Sequence, residues 1–128
     1  MRHLGIDYGE KRVGVALSDT EGKIAFPHSV LKNDRALFSF IKQLCEKENV
    51  SALVVGESRD FKGNPNEIMK EIENFIEVCQ VEIGLPVFLE PEFMTTVQAK
   101  RLTGKNEMTD ASAAAIILQS YLDKKANI

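Results

Sequence analysis

Asp7 closes a short apolar stretch, and two cations, Lys11 and Arg12, follow it across a polar turn. A strand-end carboxylate beside backbone N–H groups and cations suits a divalent metal or a phosphate. Asp also caps turns with no further role. Two more acids, Glu90 and Glu92, flank Pro91 at the close of another apolar stretch, and Asp110 precedes the Ala-rich run 111–118. Acids so far apart in sequence do chemistry only if the fold gathers them. Gathered, they repel one another and need a cation, and hard ions such as Mg²⁺ or Mn²⁺ take oxygen ligands of this kind. Two such ions roughly 3.5–4 Å apart can clamp a phosphodiester for hydrolysis. Each acid also has a plainer use. Asp110 suits a helix N-cap, where the dipole favours an acid, and Glu90 and Glu92 suit a solvated strand end. Glu57 and Asp60, after a fourth apolar stretch, serve as extra ligands or as surface charges. His3 and His28 carry no ligand spacing.

The elements that must position these acids follow from periodicity. Leu4 and Ile6 alternate with Gly5 and Asp7, the run Tyr8-Gly9-Glu10-Lys11 breaks the pattern, and Val13, Val15 and Leu17 resume it. That is a hairpin of two strands. Gly9 and Gly14 are expected to allow positive φ in the turn and close backbone approach on the return strand. Residues 24–31 make a third strand, which Pro27 places at an edge or bulge. Asn33 or Asp34 caps a helix with Leu37, Phe38, Ile41, Leu44 and Cys45 on one face. Ala52-Leu53-Val54-Val55 is the unbroken apolar run of a central strand covered on both sides. A polar loop to residue 65 leads to a helix carrying Ile68, Ile72, Phe75, Ile76 and Cys79. Residues 84–89 form a fifth strand, 95–102 a short helix and 103–108 a polar loop. Thr109 or Asp110 caps a last helix from 111 to about 124. The order β-β-β-α-β-α-β-α-α predicts one α/β domain over residues 1–128. Its mixed five-stranded sheet has three antiparallel strands, then alternating helix and strand, with helices on both faces.

Hydrophobic residues are 44% and charged ones 27% of the 128, as in an ordinary globular domain. No apolar run is long enough to span a bilayer, and the first residues lack a signal-peptide core, so a cytoplasmic protein with no membrane partner is expected. Cys45 and Cys79 fall on apolar helix faces and read as buried hydrophobes in a reducing compartment. The net charge of −3 gives no global attraction to nucleic acid. Such a partner must use local basic patches: Lys11-Arg12, Lys100-Arg101 with Lys105, or Lys124-Lys125.

The run from Gly5 to Asp19, Gly-Ile-Asp-Tyr-Gly-Glu-Lys-Arg-Val-Gly-Val-Ala-Leu-Ser-Asp, closely resembles the N-terminal motif of the YqgF/RuvX family. These are small bacterial proteins of the ribonuclease H-like superfamily, described as Holliday junction resolvases and as nucleases that process the 5′ end of pre-16S ribosomal RNA. The likeness continues through Val54-Val55-Gly56, through Glu92 with Thr95-Thr96-Val97-Gln98-Ala99, and through the helix from Asp110 to Leu122. The resemblance implies a ribonuclease H-like fold, a metal-binding catalytic set of Asp7, Glu92 and Asp110, and Mg²⁺ or Mn²⁺ as cofactor. One departure stands out. Where the family has Asp-Glu-Arg, this chain has Pro91-Glu92-Phe93. Phe93 cannot give a phosphate the bidentate contact of an Arg. Phosphate contacts then shift to Lys11, Arg12, Lys100 or Arg101, and a local shift would exchange Glu90 for Glu92.

The leading expectation is a metal-dependent nuclease acting in ribosome biogenesis, with RNA the favoured substrate and DNA an alternative. In it Asp7, Glu92 and Asp110 hold the ions, while Lys11, Arg12 and the Thr95 and Thr96 hydroxyls contact phosphates. A junction resolvase needs a symmetric dimer, whereas an end-trimming nuclease acts as a monomer, and the sequence is compatible with either. A non-catalytic binding module that keeps the acids as caps is the competing class. The hairpin also has the shape of the phosphate-binding hairpin of sugar kinases, actin and heat-shock ATPases. Those need two such lobes, and 128 residues supply one.

Overall fold

The computed structural model describes residues 1–57, 68–91 and 107–126. In it β1 (Arg2–Tyr8) and β2 (Arg12–Ser18) form the expected hairpin, in a register that sets Ile6 against Val15 and Asp7 against Gly14. β3 (Ala25–Lys32) pairs antiparallel with β2 and forms one edge of the sheet, where Pro27 lacks an N–H to give to a further strand. α1 (Leu37–Lys47) leads into β4 (Val50–Glu57), which lies parallel to β1. α2 (Met69–Glu82) returns the chain to β5 (Val87–Pro91), parallel to β4, and α3 (Glu107–Ala126) closes the described chain. The five-stranded sheet runs β3-β2-β1-β4-β5. The mixed sheet with helices on both faces is therefore as the sequence predicts.

The inner strands bury side chains on both faces, so alternation assigns each residue to one of two apolar layers. Leu4, Ile6, Val13, Val15, Leu53 and Val55 pack under α1 and α2, against Leu37, Ile41, Ile72 and Phe75. On the other face smaller residues, Ala16 and Val54, receive Ala114, Ile117, Leu118 and Leu122 of α3. Cys45 and Cys79 are free and buried among the first layer, and burial pushes their thiols up to about 11 and about 12.

Three local expectations need correction. The last helix begins at Glu107, not after Asp110. Glu and Met are good helix formers and extend it a turn upstream of the Thr-Asp pair that resembles a cap. Asp110 is thus inside the helix. α1 has Ala36 at its N-cap and no side-chain cap. Asp34 instead accepts from the Ala36 N–H at 2.9 Å in the turn before the helix, and the Asn33 amide donates to the Gly9 carbonyl at 2.8 Å. Among the described glycines, positive φ occurs at Gly22 and Gly84 and not at Gly9. Gly9 is required for space, since a Cβ there would stand 2.5 Å from the Arg12 carbonyl oxygen.

Candidate functional site

The seating of α3 on the sheet brings two of the three predicted acids to one place. Asp7 is at the C-terminal end of β1, and Gly14 faces it across the ladder, so their Cα atoms are about 5 Å apart. A Cβ on Gly14 would lie 2.0 Å from the Asp110 carbonyl oxygen and 3.1 Å from the Ala111 nitrogen. The first turns of α3 therefore rest on the bare backbone of Gly14. Asp7 projects to that same face, because Leu4 and Ile6, out of phase with it, point into the α1/α2 layer. Gly5 repeats the device further along the helix, where a Cβ would meet the Leu118 Cβ at 2.7 Å. Gly14, expected from the sequence to allow close backbone approach on the return strand, was the signal for this contact. Spacing alone did not say which helix it admits.

Asp110 Oδ2 is buried and has no hydrogen-bond partner among the described residues. Arg12 Nε lies 3.1 Å from it, within ion-pair range, with side-chain exposures of 54% for Arg12 and 24% for Asp110. Distance and hydrogen-bond geometry disagree here. The guanidinium N–H is near the oxygen but not aligned with it, so the contact is coulombic. A carboxylate oxygen shielded from water and lacking a hydrogen bond, on a residue seated against the ladder partner of a second acid, is a donor that fits a hard divalent cation. Among the described residues no group of three His, Cys, Asp or Glu is poised to hold a metal.

The remaining predicted residues divide. Lys11 is exposed in the hairpin turn beside Arg12. Glu92, Thr95, Thr96, Lys100 and Arg101 lie outside the described residues, as does Asp60. Glu57 ends β4 opposite Pro91, the last residue of β5. Because β1, β4 and β5 are parallel, their C-terminal ends share one sheet edge, and Glu92 is the next residue in sequence after that edge is reached. Glu90 is differently employed. Its carboxylate is 3% exposed and accepts from Ser120 Oγ at 2.8 Å and Lys124 Nζ at 2.6 Å, so it ties β5 to the C-terminal half of α3. The sequence showed the acid at 90 but not the Ser120 and Lys124 that claim it.

The family model described as "RuvX: Holliday junction resolvase" matches residues 1–124. A protein of Nitratidesulfovibrio vulgaris described as "Putative pre-16S rRNA nuclease" is 36% identical, with 96% of this chain and 94% of the relative covered. One of Thermoanaerobacter pseudethanolicus with the same description is 32% identical over 99% of both chains. Among solved structures, Thermus thermophilus RuvC in complex with a Holliday junction substrate superposes with a TM-score of 0.65 at 20% identity, covering 98% of this chain and 96% of that one. That last likeness carries the fold, which is the ribonuclease H-like arrangement expected from the sequence.

Proposed function

The chain belongs to the RuvX family, and from that premise we propose that it is a metal-dependent nuclease that hydrolyses phosphodiester bonds of structured nucleic acid, its substrate the 5′ end of pre-16S ribosomal RNA. The observation that carries the reading is the contact of Asp110's backbone with Gly14, the ladder partner of Asp7. It gathers two carboxylates from opposite ends of the chain at one sheet edge, and one of their oxygens is buried without a hydrogen bond. Asp7 and Asp110, joined by Glu92, would hold Mg²⁺ or Mn²⁺. When bound, such ions neutralise the phosphodiester and activate water for attack on it. The chain's own part is to fix the acids on rigid elements, strand for Asp7 and helix for Asp110, and to present cations at the same edge. Lys11 and Arg12 meet the backbone phosphates there, with Thr95, Thr96, Lys100 and Arg101 extending that contact.

Four-way DNA junctions are the second reading, favoured by the description of the family model. The experiment that tests both incubates the protein with a 5′-extended 16S precursor RNA and with a synthetic four-way junction, each with Mg²⁺ and with Mn²⁺. RNA cleavage that disappears in EDTA and in Asp7→Asn is expected, with the variant down by a factor of about 10³ or more, typical for loss of a group acting in the transition state. Junction cleavage alone would move the substrate to DNA. A variant that cuts both substrates normally would refute the site.

A further inference from the structure

Arg12 does more at this edge than await a phosphate. Its Nε stands 3.1 Å from Asp110 Oδ2, the same buried oxygen that has no hydrogen bond. Arg12 opens β2 two residues before Gly14, and strand alternation sends both to the α3 face. The hairpin therefore delivers a fixed positive charge to the acid whose backbone it also supports. A guanidinium and a divalent ion both need that oxygen and cannot share it.

Resting on the reading of Asp7 and Asp110 as metal ligands, we infer that Arg12 is a built-in competitor for the metal site. It neutralises Asp110 in exchange with the ion and, once displaced, turns its fork to the substrate phosphate. The geometry suits such an exchange. The side chain is more than half exposed and its contact is unaligned, so water can take up the guanidinium at small cost. An Arg released beside a bound ion is well matched to a phosphate, which it grips through two parallel N–H groups. Metal and nucleic acid then bind cooperatively, because each relieves Arg12 of its other partner.

The test is calorimetric titration of Mn²⁺ in low salt, without nucleic acid, into wild type, Arg12→Gln, Arg12→Lys and Asp110→Asn. Arg12→Gln should bind Mn²⁺ about two- to fivefold more tightly than wild type, the range over which an exposed ion pair can compete. Arg12→Lys should stay near wild type. The gap should narrow as NaCl screens the competitor. Arg12→Gln should at the same time bind an uncleavable RNA duplex more weakly. Equal or weaker Mn²⁺ binding by Arg12→Gln, or none by either protein, overturns the inference. Asp110→Asn separates the two failures. If it binds Mn²⁺ as wild type does, the metal reading itself falls. If it loses the ion while Arg12→Gln is unchanged, only the competition falls.

Discussion

Glu90 and Glu92 are two residues apart, and their positions in sequence do not decide which one completes the metal site proposed around Asp7 and Asp110. Glu90 already has two partners. Ser120 and Lys124 both reach its Oε2, and the carboxylate is almost wholly out of water. An acid so engaged is a strut between β5 and α3. Glu90→Gln should therefore leave cleavage within about twofold of wild type, while Glu92→Gln should abolish it. If the two results are reversed, the local shift that exchanges them is real and Glu90 is the ligand. Lys124→Ala probes the same contact from the other side. It leaves Glu90 buried with Ser120 as its remaining side-chain partner among the described residues. The cost should be about 1–2 kcal/mol in a urea titration, below the range for a fully buried pair because Lys124 itself is largely hydrated. A cost no larger than that of Lys125→Ala would show the contact to be incidental.

At the scale of elements, α3 lies against strand backbone through glycines. Gly14→Ala would put a methyl group 2.0 Å from the Asp110 carbonyl oxygen, and neither backbone can give way. The helix must lift or slide. Overpacking of this kind costs about 1–3 kcal/mol, but the larger effect should be on the site, since Asp110 moves with its helix while Asp7 stays in its strand. Mn²⁺ affinity and cleavage should fall by a factor of ten or more in protein that remains folded by circular dichroism. Gly84→Ala is the control. Its φ of +77° makes an alanine strained, yet nothing lies within 4 Å, so it should lose stability and keep activity. Activity lost in step with stability in both variants would count against the positioning role. This contact also marks how far the sequence could be read. The hairpin, the doubly covered central strand β4 and the helix faces were all legible, because apolar periodicity reports burial directly. The start of α3 was not. Thr109 and Asp110 carry a capping signature, but Glu107 and Met108 favour the helix, and the residue Asp110 meets, Gly14, is distant in sequence. Arg12 was legible as a cation but not as the partner of Asp110, for the same reason.

Across the whole molecule the two ends of the sheet do different work, and α3 spans both, its twenty residues covering about 30 Å. One end holds Asp7, Arg12 and Asp110. At the other, Gln119 binds the β3 entry, accepting from the Ala25 N–H at 2.8 Å and donating to the Lys23 carbonyl at 2.9 Å. There too the N-terminal ammonium donates to the Thr20 carbonyl, and His3 lies beneath the helix with its ring centroid 5.8 Å from that of Tyr121. His3 is 2% exposed and both ring nitrogens are buried without a hydrogen-bond partner. Burial foremost, then the positive charges of Lys125 and the N-terminus, hold its pKa below the usual 6.5, while the Met1 carbonyl, near the ring but outside hydrogen-bond geometry, works the other way. A histidine whose folded pKa is depressed takes up more protons unfolded than folded. Its contribution is thus fully present above pH 6.5 and is lost as the pH falls below that value. The acid limb of the stability curve should begin there, well above the window of Asp19, whose depressed carboxyl matters only as pH falls below its usual 3.8. Urea midpoints measured from pH 8 to pH 5 should fall for wild type, and His3→Phe, which removes a polar ring with no hydrogen bond to lose, should flatten that fall. Parallel curves for the two proteins would place the acid sensitivity elsewhere. Because His3 sits at the end of β1 remote from Asp7, the same substitution should leave Mn²⁺ affinity at pH 8 unchanged, and a change there would mean that α3 transmits packing at one end of the sheet to the acids at the other.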